Sequence, residues 1–246
     1  MFDLYGYQEI FLEGAWLTLQ VALLSLLLAV VLGLFAALAK LSHSRVLTGM
    51  ATLYTTVIRG IPDLILMLLI FFGGQLFINN MSYNVNEWLN ETMTQYYPTH
   101  EWTSYLPDYI DISPYFAGIV TIGFIFGAYM AETFRGAIIA VSKGQLEAAT
   151  AYGMNKYKRF TRIMFPQMMR HALPGLGNNW LVLLKTTALV SIIGLQDMVK
   201  IAGDASGSTQ KPFTFYLVVA LVFLFYTSVS TTLLKWAEHK YSIQTR

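Results

Sequence analysis

The feature that most restricts the fold of this chain is a run without any charged side chain at residues 15–39, AWLTLQVALLSLLLAVVLGLFAALA. A helix that crosses a bilayer needs about 20 predominantly apolar residues, and this run is long enough. Its ALA sequence at 37–39 resembles a signal-peptidase site, but the run is too long for the apolar part of a signal peptide. The residues before it are acidic (Asp3, Glu9 and Glu13), whereas signal peptides begin with basic residues. We therefore predict a retained membrane-spanning helix.

Four further apolar segments have the composition of spanning helices, and they lie at residues 64–78, 114–131, 181–199 and 212–234. The third of these contains Lys185, so we expect most of it to be buried in protein. Only 12% of the residues are charged, against about 25% in soluble domains. There is no internal repeat and no separate soluble domain. The expected fold is all-α: a polytopic membrane protein with about five transmembrane helices, forming a single domain over the whole chain.

The positions of the basic residues predict the orientation of the spans, because Lys and Arg are concentrated in cytoplasmic loops. If the N-terminus lies outside and the C-terminus lies in the cytoplasm, every Lys and Arg except Lys200 and Lys211 falls on the cytoplasmic side. Residues 79–113 then form an outer loop without Lys or Arg, and it carries the acids Glu87, Glu91, Glu101, Asp108 and Asp111. We expect this loop to be a small ordered cap on the outer face.

A polar, basic segment at residues 136–175 separates the third and fourth predicted spans, and it contains the helix-favouring run QLEAATAY. Glu147 falls in the first turn of this expected helix, where a negative charge favours the helix dipole. Ala148, Ala151 and Tyr152 recur at helical spacing and give the helix one small, mildly apolar face. A helix of this length is not stable alone, so either it docks on another protein or the segment is a plain linker between spans.

Four residues mark the ends of the helical pieces in this cytoplasmic segment. Gly153 can end the short helix, and Asn155 can cap the next one. Pro166 and Pro174 are then expected to break the basic helical run before the fourth span.

The same segment resembles the signature of the membrane subunits of ABC importers. That signature is EAA, three residues, glycine, nine residues, then I-x-L-P, and this chain departs from it only at Phe165, which stands where leucine is usual. The chain further resembles the polar amino-acid branch of that family at residues 58–73, 124–138 and 165–195. Within this branch it is similar to two kinds of permease: those for histidine, lysine, arginine and ornithine, and those for arginine alone. The resemblance implies a type I ABC importer transmembrane domain whose short cytoplasmic helix is the coupling helix.

In this family the coupling helix sits in a groove on an ATP-hydrolysing partner. The resemblance therefore implies that an ATPase subunit contacts Glu147, Ala148, Ala149, Tyr152, Gly153, Ile163 and Pro166. It also implies two ATPase subunits, a second permease subunit that is identical or related, a periplasmic or lipid-anchored substrate-binding protein, and a location in the bacterial inner membrane. The chain has no GxxxxGK[ST] phosphate loop, so we expect it to bind no cofactor and ATP and Mg to be bound by the partner.

Ionisable residues inside spans are costly and are usually functional, and three acids qualify as candidates for the substrate path. Asp63 either lines a cavity or pairs with Arg59, next to a helix break that Gly60 and Pro62 favour. Glu132 either contacts substrate or forms an ion pair with Arg135 three residues later. Asp197, near the outer end of the fourth predicted span, either lies on the path or is simply solvated.

The remaining candidates for the path are Arg59, Asn178, Asn179 and Lys185. The two asparagines could line the path, and we expect them also to help to cap the fourth span. Lys185 is expected to be a structural partner of an acid or a carbonyl, because it would repel a cationic substrate. Carboxylates in a cavity would suit a basic amino acid, since they offset its side-chain cation.

Two other function classes are open to a chain of this composition. A membrane-embedded enzyme would need a nucleophile–base or metal constellation, and the sequence offers neither GxSxG nor HExxH, while His43, His100, His171 and His239 are far apart. We therefore predict no catalytic residues, no metal and no nucleic-acid partner, but contact with membrane lipid. A stand-alone channel or secondary carrier would need no coupling helix and would often show repeats.

Overall fold

In the computed structural model of this chain, residues 4, 6–96, 105–107 and 109–241 are described, and they contain helices but no strand. The α-helices are α1 Gln8–Lys40, α2 Arg45–Gly60, α3 Asp63–Tyr96, α4 Pro114–Ile139, α5 Lys143–Ala151, α6 Lys156–Arg159, α7 Phe165–Thr186, α8 Met198–Thr209 and α9 Pro212–Tyr241. In the described part of the chain five helical stretches are long and apolar enough to cross a membrane: α1, α3, α4, the stretch from α6 through α7 to Ile193, and α9. The predicted all-α fold with about five spans is confirmed.

The centre of the molecule is the pair α1 and α4. The buried residues of α1 include a stripe of small side chains at mostly four-residue spacing: Gly14, Thr18, Ala22, Ser25, Ala29, Gly33 and Ala37. Small residues let two helix backbones approach closely inside a membrane, where hydrophobicity alone gives helices little reason to associate. Ser25 Oγ donates to the carbonyl oxygen of Ile119 at 3.3 Å, which adds a polar contact between the two helices. Helix α4 is buried on most sides and so forms the core of the bundle.

Helix α3 is longer than the sequence suggested. It continues from Asp63 to Tyr96, so the expectation of a loop beginning at residue 79 is wrong for residues 79–96. The helical extension carries polar residues on the face that meets protein, and a hydropathy pattern therefore marks it as a loop. Glu101 and Asp108 of the predicted cap, together with His100, lie outside the described residues.

One face of α3 carries a row of polar side chains that bind the backbone of residues 105–107, 110 and 112. We call Gln75, Asn79, Ser82 and Asn86 the polar ladder. Asn86 Oδ1 accepts from the backbone N–H groups of Tyr105 and Leu106 at 3.1 and 2.9 Å, and its Nδ2 donates to the Leu106 carbonyl at 2.9 Å.

The other three members of the polar ladder bind further along the same segment. Ser82 donates to Pro107 O at 2.7 Å, Asn79 accepts from Ile110 N at 2.9 Å, and Gln75 both donates to Ile110 O and accepts from Ile112 N. Irregular backbone next to a membrane needs partners for its N–H and C=O groups, and the polar ladder supplies them.

The fourth span begins and ends earlier than predicted. It runs through α7 and a 3-10 stretch, Thr187–Ile193, and it stops at Gly194, whose φ of 94° an L side chain rarely adopts. The predicted segment 181–199 therefore lies too far along the chain, and Lys185 lies within the span and not on its cytoplasmic side.

The two prolines of this region do not divide the helix, contrary to the prediction. Pro166 lies just after the π-helical turn Phe160–Met164, and the backbone remains helical on both sides of it. Pro174 lies inside α7, and the helix continues past it. Spanning helices tolerate proline because neighbouring groups satisfy the backbone carbonyl that it frees.

Two helices, α2 and α8, were not anticipated. Helix α2 buries only Ala51, Thr55 and Ile58, and it is too polar and short for a span. Helix α8 begins after Asp197 and packs with α1 and α9 in an apolar cluster of Phe11, Ala15, Met198, Ile201, Ala202, Ala205, Phe215 and Val219. Its first turn lies so close to α1 that a Cβ on Gly14 would stand 2.9 Å from Met198 N.

Candidate functional site

Helix α5 forms the short helix that the sequence predicted between the third and fourth spans, and Gly153 ends it as expected. Gly153 has a φ of 76° and donates its N–H to Thr150 O at 2.9 Å, while Met154 N donates to Ala149 O at 3.1 Å. These two bonds form a Schellman motif, the common helix ending that needs a residue in the left-handed region. The chain therefore leaves α5 by a sharp and defined turn.

Glu147 is not in the first turn of α5, contrary to the prediction. The helix begins at Lys143, which makes Glu147 its fifth residue, and the first turn holds no acid. The argument from the helix dipole is therefore wrong, because that effect is confined to the first turn. The carboxylate instead stands exposed in the middle of the helix and is available to a partner.

The predicted contact residues of α5 divide between two faces. Ala149 is buried, with 5% exposure, and Leu146 packs on an apolar cluster of Ala137, Val141, Met168 and Ala172 from α4, α7 and the segment after α4. Glu147, Ala148, Ala151 and Tyr152 are exposed, and the Tyr152 ring is 87% exposed. The chain thus holds α5 by one face and presents the other, with an acid, two alanines and a tyrosine, to the surroundings.

The segment after α5 is fixed by local contacts. Asn155 Oδ1 accepts from Lys158 N at 2.8 Å, which confirms its predicted role as the N-cap of α6. Arg159 Nη1 donates to Thr150 Oγ1 at 2.7 Å and ties α6 back to α5. Ile163 lies in a π-helical turn, Phe160–Met164, and both it and Pro166 in the next turn are half-buried. The predicted contact residues from 147 to 166 therefore belong to one connected local unit.

A helix break separates α2 from α3 at residues 61–62, as Gly60 and Pro62 predicted. The Arg59 guanidinium lies over the ring of Tyr129 in α4, with its carbon 5.4 Å from the ring centroid. Asp63 is half-buried at the start of α3, and within the described residues it forms no ion pair with Arg59. The break therefore places a cation against an aromatic ring, with the carboxylate of Asp63 four residues further along the chain.

Tyr129 is a residue that sequence reasoning missed. It lies in the predicted third span, three residues before Glu132, and a tyrosine among apolar residues gives no functional signal. Only the packing of α2 on α4 reveals its contact with Arg59.

Glu132 is held by two cations. Its Oε2 accepts from Arg135 Nε at 3.0 Å, which is the ion pair considered from the sequence, and its Oε1 pairs with Lys40 at the end of α1. Lys40 also donates to Thr55 of α2 at 2.8 Å. The Lys40 contact could not be anticipated because the two residues are far apart in sequence.

The remaining candidates on α7 differ in their environments. Asn179 Nδ2 donates to Thr133 Oγ1 of α4 at 3.0 Å, so its amide joins two helices. Asn178 and Lys185 are exposed and, at a spacing of seven residues, share one face of α7. The two asparagines lie in the middle of α7, so the prediction that they cap the span is wrong.

Asp197 is fully buried, which contradicts the prediction that it is solvated. Its Oδ1 caps α8 by accepting from Lys200 N at 2.9 Å, whereas Oδ2 has no hydrogen-bond partner among the described residues. Burial raises the pKa of this carboxyl to about 6, against the opposing effect of its bonds to backbone N–H groups. Its position between α1 and α8 is that of a structural residue.

Comparisons with known proteins agree with this arrangement. A family model described as "binding-protein-dependent transport system inner membrane component" matches residues 29–242. The histidine/lysine/arginine/ornithine transport system permease protein HisQ of Salmonella typhimurium is 49% identical over 98% of this chain and 96% of its own length. The octopine transport system permease protein OccQ of Rhizobium radiobacter is 37% identical over 96% and 91% of the two chains. The arginine ABC transporter permease protein ArtQ of Escherichia coli is 35% identical over 91% of each.

Two solved structures share the fold. A chain in the crystal structure of an amino acid ABC transporter with histidines superposes with a TM-score of 0.73 at 29% identity, covering 95% of both chains. A chain of the MetNI methionine ABC transporter superposes with a TM-score of 0.67 at 14% identity, covering 95% of this chain and 97% of that one. At that low identity the second likeness concerns the fold alone.

Proposed function

Because this chain belongs to the family of binding-protein-dependent transport system inner membrane components, we propose that it is the permease subunit of an ATP-driven importer for basic amino acids. The observation that carries the proposal is the exposed face of α5, whose sequence matches the family signature from Glu147 onward. The opposite face of α5 packs on α4 and α7. The chain is a multi-pass inner membrane protein, and we propose that its N-terminus lies outside and its C-terminus in the cytoplasm. In this orientation α5 faces the compartment that contains ATP.

The geometry of α5 suits the transmission of force from an ATPase subunit. A rigid helix with small side chains allows close approach, and Tyr152 projects far enough to enter a pocket on the partner. Because the buried face of α5 packs on α4 and α7, a displacement of α5 would be passed to both spans. We propose that two ATPase subunits with ATP and Mg, a second permease subunit that is identical or related, and a substrate-binding protein complete the importer.

The helix break at Arg59 and Asp63 offers the chemistry that an amino acid with a cationic side chain requires. The Arg59 guanidinium can bind the α-carboxylate, Asp63 can offset the side-chain cation, and the Tyr129 ring can stack on it. This supports transport of arginine, lysine, histidine or ornithine, the amino acids in the name of the relative that is 49% identical. We infer that Arg59, Asp63 and Tyr129 line the path, and that Asn178 on the exposed face of α7 lies further along it.

The proposal is tested by purifying the complex with its ATPase and binding protein, reconstituting it, and measuring ATP hydrolysis with a panel of amino acids. Arginine, lysine, histidine and ornithine should stimulate hydrolysis, whereas glutamate should not. Asp63→Asn should lower transport without dissociating the complex, and Asp111→Asn, at an exposed outer position, is the matched control. Stimulation by octopine alone would move the substrate to the opine class, and uptake without ATP would refute the importer.

A further inference from the structure

A cluster of charged residues joins three helices at the end of α1. Lys40 Nζ pairs with Glu132 Oε1 of α4 and donates to Thr55 Oγ1 of α2 at 2.8 Å. Arg135 Nη2 pairs with the other carboxylate oxygen of Glu132 at 2.9 Å. The side chains of Lys40 and Glu132 are only 12% and 20% exposed, so the contact is largely shielded from solvent.

Arg59 of α2 and Tyr129 of α4 contact each other one helical turn away from the charged cluster. This spacing holds along both helices. Thr55 precedes Arg59 by four residues on α2, and Glu132 follows Tyr129 by three residues on α4. Residues at these spacings lie on the same face of a helix. Lys40 therefore connects α2 and α4 one turn away from the position where Arg59 lies over the Tyr129 ring.

Both oxygens of Glu132 are engaged by cations of this chain, so the carboxylate has little capacity left for a cationic ligand. Lys40, for its part, cannot attract such a ligand at all. On the α4 side, Glu132 lies two turns before the helix end, beyond which the chain leads directly into α5.

We propose that Lys40 and Glu132 are positioning residues: their ion pair joins α1 to α4 and holds Lys40 where it donates to Thr55, so that α2 stays against α4 and Arg59 stays at the substrate path, while Glu132 itself does not bind substrate. This inference rests on the proposed function. Because the two residues act through one ion pair, removing either charge should lower transport by a similar factor. Removing both charges should lower transport little further.

A double-mutant cycle tests this. Lys40→Met and Glu132→Gln should each lower transport on the order of tenfold, the size of a typical coupling between sites, and the double variant should be no worse than either single one. Lys40→Arg, which keeps the ion pair, should transport nearly as well as the parent protein. The ATPase subunits should co-purify in unchanged amounts, because α5 is untouched. Additive losses, or a loss with Glu132→Gln but none with Lys40→Met, would overturn the proposal in favour of a direct substrate contact.

Two further measurements separate this inference from the proposed function. The chain has no cysteine, so single cysteines at Val57 on α2 and Ile139 on α4, both exposed, can carry spin labels without interference. The distribution of distances between the two spin labels should be narrow in the parent complex, broad with Glu132→Gln, and narrow again with Lys40→Arg. An unchanged distribution in all variants would refute the positioning role, even if no amino acid were transported. Lys200→Met and Asp204→Asn remove an exposed ion pair of α8 and should alter neither readout.

Discussion

Gly33 of α1 lies directly against the backbone of Met130 in α4, so that a Cβ at Gly33 would clash with the Met130 Cβ and stand 3.0 Å from Ala131 N. Real Cβ atoms rarely approach a neighbour so closely, and in this case the neighbour is backbone, which cannot rotate away. The closeness of the two central spans is therefore set at this glycine, and the small residues above and below it on α1 allow the same spacing over the length of the helix.

Gly33→Ala is expected to destabilise the protein by about 1–3 kcal/mol, the usual cost of inserting extra volume into a packed core. Gly73→Ala is the matched control, because nothing lies within 4 Å of a Cβ at Gly73 in α3. Thermal unfolding of the detergent-solubilised complex should show a lower apparent Tm for Gly33→Ala alone. Equal Tm values for the two variants would mean that α1 and α4 are further apart than described.

Gly153→Ala should weaken the interaction with the ATPase subunit. Alanine at a φ of 76° costs about 1–2 kcal/mol, and relief of that strain would unwind the Schellman motif and tilt the exposed face of α5. The yield of co-purified ATPase at fixed expression is the measurement. Gly144→Ala, near the start of the same helix, should leave the yield unchanged or raise it, because nothing crowds a Cβ there and alanine favours helix. Equal losses in both variants would contradict the prediction.

Asn86→Ala should free the segment that the polar ladder holds. The change removes three hydrogen bonds to Tyr105 and Leu106, so the amides of these two residues should exchange hydrogen for deuterium faster. Asn84→Ala changes an exposed asparagine two residues earlier and should have no effect on exchange. Mass spectrometry of peptides that cover residues 105–112 measures both, and unchanged exchange with Asn86→Ala would show that the segment is held by other means.

The raised pKa of the buried Asp197 carboxyl predicts how its contribution to stability changes with pH. Since the folded pKa of about 6 exceeds the ordinary value of 3.8, the folded state binds the proton more tightly than the unfolded state does. The contribution of Asp197 to stability is therefore greatest at low pH and falls as the pH rises from about 4 through 6, by roughly 3 kcal/mol at about 1.36 kcal/mol per pKa unit.

Asp197→Asn should remove this dependence, because its amide oxygen can still cap α8 and its other terminal group carries no charge. Apparent Tm measured from pH 4 to 8 should decline for the parent protein and stay flatter for the variant, with the difference largest above pH 6. Asp204→Asn, an exposed acid of α8, is the control and should follow the parent curve. A Tm difference between the parent and Asp197→Asn that does not change with pH would contradict the assignment.

Sequence reasoning succeeded where the signal is local. The end of α5 at Gly153, the cap at Asn155 and the break before Asp63 each depend on residues within one turn of each other, and all three are present. It failed where hydropathy and fold disagree. The polar face of α3 beyond residue 78 binds protein backbone, and the inner half of the fourth span carries Arg170 and two asparagines, so neither resembles a lipid-facing helix.

The candidate site was only half predictable for a related reason. Arg59 and Asp63 stand out in the sequence as charges beside a proline, whereas Tyr129 and Lys40 acquire their roles from packing between helices that are distant in the chain. Asp197 shows the opposite case, since its charge suggested solvent, but the close approach of α8 to α1 at Gly14 buries it completely. No local pattern encodes such contacts.

The polar ladder binds residues 105–107, 110 and 112 by their peptide groups, which every amino acid except proline possesses in full. The anchoring of that segment therefore depends largely on its backbone, together with Ile112, which packs on the central apolar cluster. Substitutions at its exposed positions, such as Tyr109 and Asp111, should therefore leave the backbone anchored, and these positions are permissive places to attach an epitope or a fluorophore tag.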